Sequence, residues 1–284
     1  MNSRATYFTS IIFTFFLSVF STGCQFIDDQ KSPPGYQLNR PAKEILKKKL
    51  AEISGIFYVP EEKTILAIAD DEGMVFAMDS LGKNIFDYLP KPFAETQDYE
   101  DIVKLDSIIF VLVSDGTILQ INKNAEIISR AKVPLSGKND FESIYYEPSS
   151  NGIIILCKKC ALEKNKKART AFRFDIGTNK FDSGSYYTIS TQAVNDILKD
   201  GEAEFSPSAA AIHPLQKKLY ILSSAGNLLV ITDLKGKVER AFRINPDLFP
   251  QAEGIAFTPR GDMYISNEAK LGKPSLLTFR YRNK

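Results

Sequence analysis

The chain has 284 residues, 36 Lys and Arg against 34 Asp and Glu, a formal net charge of +2, and 44% hydrophobic residues. That length allows one domain of about 250 residues with a sizeable core. The near balance of charge leaves no strong electrostatic footprint for nucleic acid, which is excluded as an expected partner.

Arg4 precedes an apolar run from Tyr7 to Phe20 that is too short to span a bilayer comfortably. Ser21-Thr22-Gly23-Cys24 follows. It resembles a bacterial lipoprotein box, with Ser21 where Leu is usual. The expectation is a lipoprotein signal peptide over 1–23, a lipidated Cys24 beginning a flexible tether over 24–35, and one folded domain over 36–284. An ordinary secretory signal with a chance cysteine is the alternative. Several acyl chains anchor a protein stably, since two lipid signals already suffice. The expected address is therefore the bacterial cell envelope, with the protein on a membrane and facing the periplasm or the cell surface. Asp28-Asp29 and Pro33-Pro34 fit a solvated tether, the acidic pair also fitting an export signal.

Tyr36-Gln37-Leu38 reads as a strand, and Pro41 to Leu50 as a linker or short turn whose Lys47-Lys48-Lys49 faces solvent or anionic lipid. One unit then recurs: a polar residue, an apolar strand, a turn, and a second apolar strand. It is clearest at Gln251-Ala252-Glu253-Gly254-Ile255-Ala256-Phe257, the turn Pro259-Arg260-Gly261-Asp262, and Met263-Tyr264-Ile265-Ser266-Asn267. With Ser54, Glu100, Glu142, Ser208 and Glu253 as phase markers, the steps are 46, 42, 66 and 45 residues. Three match the roughly 40–50 residues of a four-stranded propeller blade. The spacing predicts an all-β chain: a single β-propeller of five four-stranded blades, six being the alternative count. Blades one to four run from Ser54 to about Asp87, Glu100 to about Val133, Glu142 to about Ile189, and Ser208 to about Ile244. Turn signals such as Glu72-Gly73 and Asp115-Gly116 follow the second strands. In blade three, Ala161 to Arg169 reads as an exposed lysine-rich hairpin loop. Thr191 to Leu198 reads as a short helix capped by Thr191, which accounts for the long step. Blade five, from Glu253 to Phe279, has three strands, and the Tyr36–Leu38 strand is expected to supply its fourth and hide the edges.

The motifs Glu52-Ile53-Ser54-Gly55-Ile56, Tyr99-Glu100-Asp101-Ile102, Phe141-Glu142-Ser143-Ile144, Phe205-Ser206-Pro207-Ser208-Ala209 and Gln251-Ala252-Glu253-Gly254-Ile255-Ala256 occur in this order. Together, over about residues 36–279, they resemble the SdiA-regulated family of bacterial envelope β-propellers. The resemblance implies a propeller and an envelope address. That family has no settled biochemical activity.

In a propeller the first strand of each blade lines the channel, starting at one mouth, and the second strand returns there. The five markers should therefore share a mouth with Asp70-Asp71-Glu72, Ser114-Asp115, Cys157-Lys158, Ser223-Ser224 and Ser266-Asn267-Glu268. Carboxylates crowded without cations raise each other's pKa. Three resolutions stand open. A hard cation such as Ca²⁺, which takes six to eight oxygens, would use Glu100, Glu142, Glu253 and Asn267. Lys158 could form internal ion pairs. Or each Glu accepts from backbone amides of the next blade. Ser54, Asp71, Glu72, Asp115, Lys158, Ser208 and Glu268 complete the expected ligand-binding set. The leading expectation is a lipid-anchored binder of a small molecule or an envelope protein, with no catalytic residue assigned. The alternative is a Ca²⁺-dependent lactonase- or phosphoesterase-like hydrolase using the same mouth, with the metal polarising a carbonyl or activating water. The Glu253-Gly254-Ile255 start is similar to the first-strand motif of gluconolactonase-like propellers, a six-bladed family.

His213, the sole histidine, stands before Pro214 in a turn, and no G-x-S-x-G occurs, which argues against a Ser–His hydrolase. Cys157-Lys158-Lys159-Cys160 has no second C-x-x-C beside it for zinc. A disulfide between these cysteines needs Cα atoms within about 7 Å, against about 10 Å along a flat strand. Bonding is thus expected only if the strand ends and turns at Lys158. Free thiols and a redox pair remain the other readings.

Overall fold

The computed structural model describes residues 32–164, 167–270 and 272–282; the expected signal peptide, Cys24 and the expected tether as far as residue 31 lie outside the described residues. The apolar strand pairs fold as antiparallel ladders in five sheets. Blade one comprises β2 (Ile53–Val59), β3 (Thr64–Ala69), β4 (Glu72–Asp79) and β5 (Ile85–Asp87), after the short β1 (Ala42–Ile45). Blade two is β6 (Tyr99–Leu105), β7 (Ile108–Val113), β8 (Thr117–Ile121) and β9 (Ile127–Lys132). Blade three is β10 (Asn139–Glu147), β11 (Gly152–Cys160) and β12 (Ala168–Asp175), with its outer position split between β13 (Lys180–Phe181) and β14 (Tyr187–Ser190). Blade four is β15 (Ala209–Ile212), β16 (Leu219–Ser223), β17 (Leu228–Thr232) and β18 (Val238–Arg243). Blade five is β19 (Ala252–Phe257), β20 (Met263–Asn267) and β21 (Ser275–Phe279), with β1 on its outer edge. The expected five-bladed propeller is the observed fold.

The burial pattern explains the sequence pattern. Strands β3, β7, β16 and β20 lie between neighbouring blades and are buried almost end to end, so they read as continuous apolar runs. The outermost β9 and β18 alternate or lie mostly exposed. The core is therefore a ring of interblade clusters. Ile68 and Tyr99 pack between blades one and two, Phe110 and Phe141 between two and three, and Leu156 and Leu228 between three and four. Tyr220 and Ile265 join four to five, and Ile65 and Tyr264 join five back to one. Each fully buried aliphatic side chain contributes about 1.5–3 kcal/mol. The first strands β2, β6, β10, β15 and β19 contact one another in sequence around the channel, β19 meeting β2.

The N-terminal closure differs from expectation. A strand from the chain's beginning does complete blade five, but it is β1, which pairs Ala42 with Thr278 and Ile45 with Ser275. Tyr36-Gln37-Leu38 is not a strand. Tyr36 and Leu38 are buried plugs in the core between blades four and five. The Tyr36 hydroxyl donates to the Gly261 carbonyl at 2.5 Å. The segment 41–50 is thus more than a linker: β1 is followed by a short 3₁₀ turn, Lys48–Leu50.

Helix α1 (Thr191–Leu198) forms as predicted, but its cap is Ser190, whose hydroxyl accepts from the Ala193 amide at 3.1 Å. The turn after β3 is Asp70-Asp71 rather than Glu72-Gly73, since Glu72 pairs with Ala69. The lysine-rich stretch of blade three is partly anchored. Glu163 is buried and accepts from the Thr170 amide at 2.6 Å and from Arg169.

Candidate functional site

One local irregularity positions the mouth residues. In β6, Tyr99 pairs with Val113 and Asp101 with Leu112, leaving Glu100 as an extra residue. In β10, Phe141 pairs with Cys157 and Ser143 with Leu156, leaving Glu142 extra. In β19, Ala252 pairs with Asn267 and Gly254 with Ser266, leaving Glu253 extra. In β2, Ser54 and Gly55 together bridge the step between Ile53 and Ile56. A β-bulge kinks the strand and re-aims a side chain out of the regular alternation. Three of the five phase markers are carboxylates delivered in this way, and the fourth blade breaks the pattern. Ser208 lies just before β15 and carries no charge.

Lys158 is the matching bulge on β11, between Cys157, paired with Phe141, and Lys159, paired with Asp140. Its ammonium donates to Glu142 Oε1. The bulge also brings the Cys157 and Cys160 Cα atoms to 5.7 Å, and the two sulfurs are bonded. The expectation that bonding requires the strand to end at Lys158 is corrected. The strand runs on to Cys160, and the extra residue supplies the shortening.

Carboxylate oxygens of Glu100, Asp140 and Glu142 lie within 4.8 Å of one another. Burial, then Glu142, Asp98 and Asp140, pushes the Glu100 carboxyl up to about 10. Burial raises Glu142 to about 7, although Lys158 opposes the rise. Burial and Glu142 raise Glu253 to about 8, again against Lys158. Glu268 rises to about 7 through burial and Glu52, and Asp70 to about 6 through burial, Glu52, Asp71 and Asp98. Glu142 Oε2 and Asp70 Oδ1 are buried with no hydrogen-bond partner among the described residues. The mouth therefore holds a continuous acidic surface from Asp70 to Asp140, with Lys158 placed between Glu142 and Glu253.

Not every expected residue takes part. Asn267 is fully buried and donates its amide to Ser275 Oγ at 3.2 Å, while its Oδ1 has no partner among the described residues; it stands apart from the three carboxylates that meet. Ser208 Oγ donates to the Ala252 carbonyl at 2.8 Å and accepts from the Ser224 amide, clasping blade four to blade five. Ser54 Oγ donates to its own strand at the Glu52 carbonyl. Asp115 turns outward to Lys132 on β9 at 2.6 Å and accepts from the Thr117 amide. Asp71 and Glu72 are exposed at the turn tip, while Asp70 faces the acids. Glu268 accepts from the Gln251 side chain.

The bond from a Glu to the next blade's amides exists, but Asp101 makes it. Its carboxylate accepts from Ile102 N at 2.8 Å and from Ile144 N, in blade three, at 2.9 Å. Gly55 leaves it room: a Cβ there would lie 2.2 Å from Asp101 Oδ1 and 2.5 Å from its Cα. Asp98, Asp140 and Glu52 join the mouth without having been expected there; each stands two positions before a marker, and that recurring offset was a usable signal. His213 is a buried turn residue as expected, its Nδ1 accepting from the Leu215 and Gln216 amides at 3.2 and 3.1 Å.

Chemically, the site offers clustered carboxylate oxygens and groups that titrate near neutrality. No family model matches the chain, and no curated protein matches it. Among solved structures it is similar to a luciferin-regenerating enzyme, with a TM-score of 0.51 and 11% identity over 85% of this chain and 95% of that one. A nidogen–laminin complex gives a TM-score of 0.47 and 10% identity over 76% of this chain and 73% of that one, too low to carry an argument. At 11% identity the first likeness is one of architecture, and architecture does not transfer activity.

Proposed function

We propose that the protein is a non-catalytic bacterial envelope propeller, anchored through lipid on Cys24, that captures a cationic group at its acidic mouth. The group is a divalent ion or the ammonium of a small molecule or protein partner. The repeat motifs support membership of the SdiA-regulated family. The carrying observation is the trio Glu100, Asp140 and Glu142, whose oxygens meet within 4.8 Å and whose charge is offset by Lys158. Burial penalises the charge of these crowded carboxyls, so they hold protons, and an arriving cation would replace those protons. The trio suits Ca²⁺ as an oxygen-only donor set, with Lys158 moving off Glu142 and without Asn267.

Calorimetry on the full chain in detergent tests this, with CaCl₂, MgCl₂ and oligolysine as probes. The expected result is binding at pH 8 with proton release, weaker at pH 5.5, and lost in Glu100→Gln/Asp140→Asn. Absence of binding by all three probes at pH 8, or binding indifferent to the double substitution, overturns the proposal. Turnover of lactones or phosphoesters that EDTA abolishes would favour a hydrolase instead.

A further inference from the structure

At the end of the propeller opposite the acidic mouth, one face carries a basic cleft. There the first and second strands of each blade join, and the two ends of the folded chain meet. The Arg282 amide donates to the Gly35 carbonyl at 2.9 Å, and the Tyr281 amide to Asp262 Oδ1 at 3.0 Å. Beside them opens a cleft of about 780 Å³. Its walls carry Arg40, Lys43, Lys83, Arg280 and Arg282 against one carboxylate, Glu44. Arg280 pairs with Asp262. These cations come from three separate chain segments that only the closed ring brings together. Leu81, in the turn between β4 and β5, lines the cleft with 54% of its surface exposed.

A second observation concerns the tether. Ser32, the first described residue, lines the cleft. Cys24 stands eight positions earlier. An extended residue spans at most about 3.6 Å, so a lipid on Cys24 would hold this wall within roughly 30 Å of the bilayer. Charge and tether thus select the same end.

We propose that this end docks on anionic phospholipid headgroups, with Arg40, Lys43, Lys83 and Arg282 facing the phosphates and Leu81 entering the interface. The acidic mouth then points away from the membrane. This rests on the lipoprotein reading of Cys24. A polybasic face is drawn to an anionic leaflet, at about a fivefold gain in affinity per cation, while the mouth is repelled. The run Lys47-Lys48-Lys49 is not part of this face. Lys49 pairs with Asp87, and the run leads to Ala51, whose carbonyl accepts from Ala269 beside Glu268 at the mouth.

The test uses the full chain reconstituted into phosphatidylcholine bilayers with and without phosphatidylglycerol. Lysine accessibility to an amine-reactive reagent is read peptide by peptide by mass spectrometry. On anionic bilayers Lys43 and Lys83 should label about fivefold less than on neutral ones. Lys138 and Lys270, beside Asp140 and Glu268 at the mouth, should not change. Salt at 0.5 M should erase the protection, and Arg40→Gln/Arg282→Gln should reduce it. Equal labelling on both bilayers, or protection of Lys138 and Lys270 instead, overturns the proposal. So does equal protection by soluble glycerol phosphate on neutral bilayers, which would mark a small-anion pocket. The mass of the mature chain reads the anchor separately: an unlipidated Cys24 with protection intact would sink the lipoprotein reading alone.

Discussion

Lys158→Gln is the sharpest perturbation of the mouth. In the folded chain Glu142 titrates near 7 instead of 4.5, even with Lys158 as its partner. A displacement of that size corresponds to about 3 kcal/mol of unfavourable ionisation at alkaline pH. Breaking one side of a buried ion pair costs about 3–5 kcal/mol, and of an exposed pair about 0–1. The side chains here are 12% exposed for Glu142 and 33% for Lys158, which places the pair between these limits. We expect a loss of about 2 kcal/mol at pH 8.5, a fall in Tm of roughly 4–8 °C for a domain of this size. At pH 5 Glu142 is protonated with or without Lys158, so the loss should shrink below about 1 kcal/mol. Thermal unfolding followed by circular dichroism at both pH values measures this. Adding Glu142→Gln should restore much of the loss, because Lys158's hydrogen-bonded carboxylate is then gone, although Asp140 and Glu253 still lose its charge. An equal Tm change at pH 5 and 8.5, or no rescue by the second substitution, would refute the reasoning.

Other expectations follow from the same geometry. Asp70, Glu142, Glu253 and Glu268 have folded values above their unfolded ones, so the folded chain binds more protons between about pH 4.5 and 8. Their contribution is fully present below their unfolded values and is lost as pH rises through about 6 to 8; urea midpoints at pH 5 and 8.5 should show it. Asp101→Asn keeps one of two acceptors and should cost about 1–3 kcal/mol in chemical denaturation. Gly55→Ala drives a methyl into the Asp101 carboxylate and Cα and should cost at least as much, because two amides hold that carboxylate in place. Reducing Cys157–Cys160 opens a four-residue loop, so loop entropy predicts a loss of about 2 kcal/mol, measured by unfolding with and without reductant.

The propeller was legible because its inner and middle strands are buried on both faces and therefore announce themselves as apolar runs in phase. The closing strand was not, because β1 lies mostly exposed and carries no apolar signature, whereas Tyr36 and Leu38 look like a strand but are single plugs. The acidic mouth was legible at Glu100, Glu142 and Glu253, since a recurring marker implies a recurring place. Asp115 departs for a reason the sequence does not carry: it lies at the right height, but Lys132 on β9 turns it away. The i,i+3 disulfide was undecidable from spacing alone, because it depends on a register shift against Asp140 and Phe141.

Closure by β1 also sets an order of events during synthesis. Ala42 leaves the ribosome long before its partner Thr278, so the ring closes only after β21 is made. Until then the nascent ring is an open arc with two bare sheet edges. Joining ends separated by ~240 residues costs roughly 5 kcal/mol of chain entropy, recovered only when the final ladder forms. A chain arrested before Ser275 should remain protease-sensitive throughout, and release of β21 should convert it cooperatively to the resistant form.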